Sequence, residues 1–241
     1  MFPEDSIQHL FDSWWVPDAT NTICRGRVLD AFLPHVDQDP TAFIVEGRKD
    51  SAGHDQFNFR IEPLTIRTRA NKPAIPVAAL PLHGKEVHTI CKSKVRRVLV
   101  VSAMNAPVPM AHGAPVYQTA PTIQVAPYYG VDASGARAGW NPEFVRRIRL
   151  CEYPQYMWDM VPDSLTEESI LRLDHVQPLI RWSDCYRVLP YRLSDDALEV
   201  LEDWQEWYRT GRLNPDGFLA MVRDGWMQKE IGFIQQVEAP S

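Results

Sequence analysis

The chain has 241 residues and a formal net charge of −6, with 45% hydrophobic and 23% charged residues. This composition is ordinary for a globular protein, so disorder is not the default state. No apolar run approaches the roughly 18 residues that cross a membrane, and the acidic start of the chain lacks the basic region of a signal peptide.

The N-terminal residues carry the pattern of a short helix. Ser6 is a suitable N-cap, and apolar residues follow at the spacing of one helix face until Pro17. These apolar residues are Ile7, Leu10, Phe11, Trp14 and Trp15. We expect a helix over 6–15 whose stripe packs in the core, with a partner surface as the alternative.

Short segments between residues 25 and 180 predict strands. The run Val98–Val101 is continuously apolar, as in a strand covered on both faces. Strands are predicted at 25–33, 59–68, 97–102, 121–127, 143–150, 169–173 and 176–180. A polar stretch from 35 to about 60 has EGRKDSAGHDQ as its most loop-like part, and loops are predicted at 103–116 and 130–142. Because these strands do not alternate with helices, the pattern favours a barrel or sandwich over a doubly wound sheet.

The C-terminal part predicts two helices. Ser194 is a suitable cap for a helix that reaches about Thr210, and Gly211 suits its C-terminal end. The predicted inward side chains of this helix are Ala197, Leu201, Trp204 and Tyr208. Asn214 and Pro215 predict the start of a second helix. Its predicted inward side chains are Phe218, Met221, Val222 and Trp226.

Charge is unevenly distributed along the chain. From Ser194 onward there are ten acidic and four basic residues, so this region carries the whole net charge of −6. The acidic helices have either a solvated face or a face that covers a basic groove in the same chain or a partner chain. Basic residues cluster before and at the Val98–Val101 strand, at Lys92, Lys94, Arg96 and Arg97.

The four cysteines (Cys24, Cys91, Cys151 and Cys185) are far apart in sequence and form no Cys-x-x-Cys pair. This spacing argues against a structural zinc site, and we expect free thiols in the cytoplasm.

Three stretches, in this order, resemble the MazF/PemK family of toxin–antitoxin systems. They are GRVLDAFLP at 26–34, KSKVRRVLVVS at 92–102 and ESILRLDHVQPL at 168–179. Between them, TIQVAPYYG at 122–130 corresponds to the family's strand that precedes a hydroxyl residue. The acidic helix after Ser194 corresponds to the family's C-terminal helix.

The resemblance implies an α+β, mainly β fold, with a small SH3-like β-barrel between N-terminal and C-terminal helices. We expect a single domain over 1–241, with the barrel core at 25–180, an insertion at about 35–88 and acidic helices at 194–241. The family's activity implies a metal-independent endoribonuclease of single-stranded RNA that needs no cofactor. It also implies a homodimer, an antitoxin protein as partner and no membrane association.

The resemblance assigns the first catalytic role to Arg96, which corresponds to the family's arginine in the second stretch. A guanidinium presents its donors to phosphate oxygens in a fixed geometry and stabilises the charge of the transition state. Lys94 and Arg97 supply local positive potential for RNA binding. Position 97 is Arg where the family normally has Pro.

Two further positions depart from the family. Tyr128 and Tyr129 stand where the family has Thr or Ser, and they predict a phosphate donor, a stacking surface for a base, ordinary sheet packing or a lost nuclease activity. His175 follows Asp174 where the family has Gln, and it predicts a general base or a structural side chain. Asp174 is the accompanying substrate-binding candidate.

Two functions from different classes follow. The first is the metal-independent endoribonuclease, and the second is a catalytically inactive barrel that binds nucleic acid or protein. A third and weaker alternative is an unrelated function on a similar barrel, because a fold does not fix a function.

Overall fold

The computed structural model describes residues 2–53, 55–103, 122–132, 139–162, 168–180 and 184–238. Most of the loop predicted at 103–116, and residues 133–138 of the one predicted at 130–142, lie outside these residues. The described chain is mainly β with three α-helices, which confirms the predicted α+β, mainly β class.

The described residues form eleven strands, three α-helices and two 3₁₀ turns. The strands are β1 (Trp15–Pro17), β2 (Arg27–Pro34), β3 (Thr41–Arg48), β4 (Phe57–Pro63), β5 (His88–Ile90), β6 (Ser93–Ala103), β7 (Thr122–Gly130), β8 (Tyr156–Met160), β9 (Glu168–Arg172), β10 (Gln177–Ile180) and β11 (Tyr186–Leu193). The helices are α1 (Pro142–Arg149), α2 (Asp195–Thr210) and α3 (Phe218–Glu238), and the 3₁₀ turns are Ile7–Leu10 and Leu173–His175. None of the helices in the described ranges has both the length and the apolarity to cross a membrane.

The chain divides into two compact units. The first contains residues 1–31 and 96–241, and the second contains residues 32–95. The insertion predicted at about 35–88 falls within the second unit, while the single domain over 1–241 stays a prediction. The second unit contains a three-stranded antiparallel sheet in the order β4-β3-β5.

The first unit is built on a curled, half-barrel sheet in the order β1-β11-β2-β6-β7-β9-β8, with β10 also paired to β7. The main core of buried side chains includes Leu99, Tyr128 and Leu171 of the sheet and Trp204 of α2. A smaller core joins α1 to Ile170 and Trp158 through Val145 and Ile148.

Strand β6 forms where it was predicted, because four consecutive apolar residues give both of its faces buried side chains. Val98, Leu99, Val100 and Val101 are all at most 2% exposed, as expected for a strand covered on both faces. The predicted strands at 25–33, 169–173 and 176–180 correspond to β2, β9 and β10 with shifts of one or two residues at their ends. The strand predicted at 59–68 corresponds to β4 in its first part only, because β4 ends at Pro63.

Helix α2 forms where its capping residues predict it. The Ser194 hydroxyl accepts a hydrogen bond from the amide of Ala197, and Gly211 ends the helix in the left-handed conformation with φ of 69°. Tyr208 was predicted to face inward, but it is 40% exposed and Trp207 is buried in its place. The buried stripe therefore runs one residue earlier in the last turn.

Helix α3 begins at Phe218 instead of at Pro215, which changes its buried face. Phe218 and Met221 were predicted to face inward but are 37% and 65% exposed, whereas Leu219 and Ala220 are buried. The Asn214 side chain accepts the amide of Asp216 in a turn, so it does not cap the helix.

The predicted helix over 6–15 is wrong beyond its first turn. Ser6 donates its hydroxyl proton to the Pro3 carbonyl, and only Ile7–Leu10 form a 3₁₀ turn. Trp15 then enters β1, which pairs with β11. The reason is tertiary, because the indoles of Trp14 and Trp15 donate hydrogen bonds to Asp159 of β8.

Two other predictions of local structure are wrong. Residues 143–150 form helix α1 instead of a strand, since the Asn141 side chain accepts the amides of Glu143 and Phe144 and Pro142 occupies the first helical position. The stretch 35–60 was predicted to be polar and without a strand before residue 59, but it contains β3, which pairs with β4 on one side and β5 on the other.

Candidate functional site

The candidate site depends on a break between two strands that pair with β7. The pairing with β9 ends at Tyr128–Leu171, and the pairing with β10 begins at Val125–Gln177. The 3₁₀ turn Leu173–His175 occupies this break. The turn carries Asp174 and His175 and brings them beside the C-terminal half of β7.

Tyr129, His175 and Arg172 form a chain of hydrogen bonds. The Tyr129 hydroxyl lies 2.8 Å from Nδ1 of His175, and Nη2 of Arg172 lies 2.7 Å from Nε2. A guanidinium has only donors, so Nε2 accepts from Arg172, and Nδ1 carries the proton of the neutral ring. The Tyr129 oxygen therefore accepts from Nδ1, and its own proton is not used in the bond to His175.

Arg172 is held in place by Asp174. Its Nε and Nη2 donate to the two carboxylate oxygens at 2.7 and 2.5 Å, a bidentate pair. Burial lowers the pKa of Arg172, but the hydrogen bonds and charge of Asp174 outweigh it, so the net pKa shift is upward. The guanidinium carbon also lies 5.0 Å from the Tyr156 ring centre. Arg172 is thus a fixed positive charge.

Arg96 reaches the same tyrosine from the neighbouring strand. Strands β6 and β7 are antiparallel, and Val98 is paired with Pro127. Two residues further along this register, Arg96 stands opposite Tyr129. Residues opposite each other point to the same face of a sheet. Its guanidinium carbon lies 4.3 Å from the Tyr129 ring centre, and that of Arg172 lies 5.6 Å from it. Two cations therefore border one phenol, within the range of cation–π attraction.

We call Arg96, Tyr129, Arg172, Asp174 and His175 the arginine–tyrosine cluster. Its charge is positive, because two guanidiniums face one carboxylate and a neutral imidazole. His175 is 8% exposed, whereas Tyr129 and Arg96 are half-buried. The cluster can bind an anionic group at the half-buried pair and exchange a proton at the phenol.

Four of the seven residues predicted from the sequence meet in this cluster: Arg96, Tyr129, Asp174 and His175. Arg97 lies next along β6, where alternation turns its side chain to the opposite face. Its Nε lies 3.8 Å from Asp30, which also pairs with Arg187. Lys94 is half-buried and belongs to the second unit.

Tyr128 is separated from Tyr129 by the alternation of β7. It is 5% exposed, and its hydroxyl donates to Asp159 at 3.0 Å in the main core. Burial and then the charge of Asp159 raise the pKa of Tyr128 well above 10. Tyr128 therefore presents almost no surface to a ligand, and of the two tyrosines only Tyr129 lies in the arginine–tyrosine cluster.

The sequence prediction missed Arg172 and Tyr156. Arg172 stands inside the stretch ESILRLDHVQPL, two residues before Asp174. Its position near the end of the strand predicted at 169–173 was the one sequence feature that could have marked it as a site residue. Tyr156 pairs with Arg172 across β8 and β9. No prediction covered β8, so nothing in the sequence pattern placed this ring.

Comparison of the chain with models of known protein families, with curated proteins and with solved structures gave no match. Within the described ranges, no group of three or more His, Cys, Asp and Glu side chains is arranged to hold a metal ion.

Proposed function

We propose that the protein is a metal-independent endoribonuclease that cleaves single-stranded RNA at the arginine–tyrosine cluster, in the manner expected of a MazF/PemK-like toxin. The observation that carries the proposal is the meeting of two guanidiniums, a phenol and an imidazole on one side of a curled sheet. The guanidiniums supply the positive charge, and the phenol supplies the proton donor, that phosphodiester cleavage by the RNA's own 2′-hydroxyl uses, and the imidazole holds the phenol.

The two arginines have different tasks in this proposal. Arg172 is fixed by Asp174 and supplies a permanent positive charge next to the phenol. Arg96 is half-buried and stacks on the Tyr129 ring, which orients its donors. When a phosphate arrives, Arg96 binds two of its oxygens and stabilises the extra negative charge of the transition state.

Tyr129 supplies the proton in this proposal, and His175 holds it in position. The 2′-oxygen attacks phosphorus, the bond from phosphorus to the 5′-oxygen breaks, and the 5′-oxygen takes the proton of Tyr129. The 2′-hydroxyl proton passes to water, and Tyr129 regains a proton from solvent. The products are a 2′,3′-cyclic phosphate and a 5′-hydroxyl. His175 acts through the phenol, because both of its ring nitrogens are already bonded.

A second candidate function is the binding of single-stranded RNA without cleavage. The observation that favours it is the internal satisfaction of the cluster, since Asp174 occupies two donors of Arg172 and His175 has no unbonded nitrogen. In this case the cluster holds a phosphate but does not activate it.

The further expectations belong to the same proposal. They are an SH3-like barrel, a homodimer, an antitoxin protein as partner and a cytoplasmic location. The half-barrel sheet supports the first of them.

Arg96→Ala tests the function directly. We expect purified protein to cut a labelled single-stranded RNA in the presence of EDTA, and the variant to cut about 100-fold more slowly. The matched control is Arg209→Ala, which removes an exposed guanidinium paired with Glu206 on α2. If wild-type protein binds the RNA in a salt-dependent manner without cutting it, the second candidate replaces the first. If the two arginine variants behave alike in cleavage and binding, both candidates fail.

A further inference from the structure

The three-stranded sheet of the second unit exposes a row of aromatic side chains. The register pairs Val45 with Phe59 and Phe43 with Ile61, and after a bulge it pairs Arg48 with Phe57. Residues directly opposite each other point to the same side of a sheet. Phe43, Phe57 and Phe59 therefore share one side of the sheet, which we call the phenylalanine face.

The rings of this face are close together, with Phe59 exposed and Phe43 and Phe57 half-buried. Their centres are 4.9 Å apart for Phe43 and Phe59, 6.0 Å for Phe57 and Phe59, and 6.1 Å for Phe43 and Phe57. Phe59 is 51% exposed and the neighbouring Ile61 is 53% exposed. Exposed large apolar side chains that form a patch indicate a binding surface, unlike single ones.

The carboxylates of this sheet lie on the side opposite to the phenylalanine face. The positions of β3, β4 and β5 on the phenylalanine face hold no carboxylate, and Arg48 stands there opposite Phe57. Glu46 and Glu62 instead bind Arg60, which lies opposite Ile44 on the other side. The second unit has nine Lys and Arg against seven Asp and Glu, although the whole chain is acidic.

We propose that the phenylalanine face binds single-stranded RNA by stacking bases on Phe59 and its neighbours. Flat aromatic side chains on a sheet stack any base, and the strand positions of this face carry no carboxylate to repel the phosphates that accompany the bases. Binding of an apolar peptide, or of a second copy of this chain, would require neither flat aromatic rings nor a face without carboxylates. The identification of the strand as RNA rests on the proposed function, whereas the stacking itself does not.

The test is fluorescence anisotropy of the full-length protein with a labelled 2′-O-methyl oligouridine, which cannot be cleaved because its 2′-oxygen is blocked. We expect Phe59→Ala and Phe59→Leu each to weaken binding about tenfold, since stacking is lost in both. Phe59→Tyr keeps the ring and retains binding. Ile66→Ala is the control, because Ile66 is 91% exposed and no ring is removed.

The variants also separate this inference from the proposed function. With cleavable RNA, Phe59→Leu should raise KM and leave kcat unchanged, whereas Arg96→Ala lowers kcat. If wild-type protein does not cut RNA but the Phe59 variants still lose anisotropy, only the proposed cleavage fails. Binding by Phe59→Leu equal to wild type overturns the stacking proposal. So does a wild-type dimer in sedimentation that Phe59→Ala converts to monomers.

Discussion

Tyr128 and Tyr129 are neighbours in β7, yet each hydroxyl has a different partner and a different environment. The Tyr128 hydroxyl donates to the buried Asp159, and the Tyr129 hydroxyl meets His175 beside two guanidiniums. One tyrosine therefore contributes to the stability of the core, and the other belongs to the candidate site. Two identical residues have different roles here because adjacent side chains of a strand point to opposite faces of the sheet.

Asp159 is the partner that makes the core side of β7 sensitive to pH. It is fully buried and accepts hydrogen bonds from Tyr128, from the indoles of Trp14 and Trp15 and from the Met160 amide. Burial raises the pKa of Asp159 to about 6, and these donors only partly oppose that shift. The arginine–tyrosine cluster has instead a half-buried carboxylate, Asp174, paired with a guanidinium.

Paired tyrosine variants give the largest expected difference. Tyr129→Phe removes the proton donor of the proposed reaction, so RNA cleavage should fall about 100-fold while the melting temperature changes little. Tyr128→Phe should leave cleavage nearly unchanged but cost about 1–3 kcal/mol, because a buried acceptor loses its donor. Cleavage assays and chemical denaturation of both variants measure the contrast. Equal loss of cleavage in both variants would contradict the division of roles.

The pH dependence of unfolding tests the buried carboxyl. The pKa of Asp159 is higher in the folded protein than the usual 3.8, so between these values the folded state binds a proton that the unfolded state has lost. The free energy of unfolding should therefore fall as pH rises from about 4 to about 6, by roughly 3 kcal/mol.

Denaturant titrations across this pH window measure that slope. Asp159→Asn should flatten it, because an amide does not titrate, whereas Asp224→Asn on the surface of α3 should not. A slope that is the same in both variants would assign the pH dependence to another group.

The smallest expected effect is at Asp174. Asp174→Asn removes the charged partner of Arg172, and both side chains of that pair are partly exposed to solvent. Partly solvated ion pairs contribute little, so we expect a loss of at most about 1 kcal/mol in the free energy of unfolding. Urea denaturation at neutral pH checks it. A loss as large as that of Tyr128→Phe would mean that Asp174 also belongs to the core.

Local sequence predicted the elements whose signals are local. The Val98–Val101 run predicted β6, and Ser194 with Gly211 predicted both ends of α2. Local signals misled where tertiary contacts dominate, as at Trp14 and Trp15, whose indoles bond to Asp159 instead of packing on a helix. At 143–150 the cap formed by Asn141 and Pro142 is a local signal as well, and it produces helix α1 where a strand was predicted.

The candidate site was partly predictable for a similar reason. The sequence placed Arg96, Tyr129, Asp174 and His175 among the candidates, and the structure brings these four together. It did not predict Arg172, whose importance depends on a contact with His175 across a turn. The predicted role was the same for both tyrosines, because the residues of this segment do not by themselves define a strand register.

From the sequence alone, the uninterrupted apolar run predicts β6 and the capping residues Ser194 and Gly211 predict both ends of α2, whereas Ser6 and the apolar residues after it predict a helix that is absent beyond its first turn. The tertiary structure alone decided which side of β7 each tyrosine occupies, and that Asp159 and His175 are their partners. The physical reason is that side-chain direction in a strand alternates with every residue. A one-residue difference in register exchanges the buried and accessible faces, and only pairing with β6, β9 and β10 fixes that register.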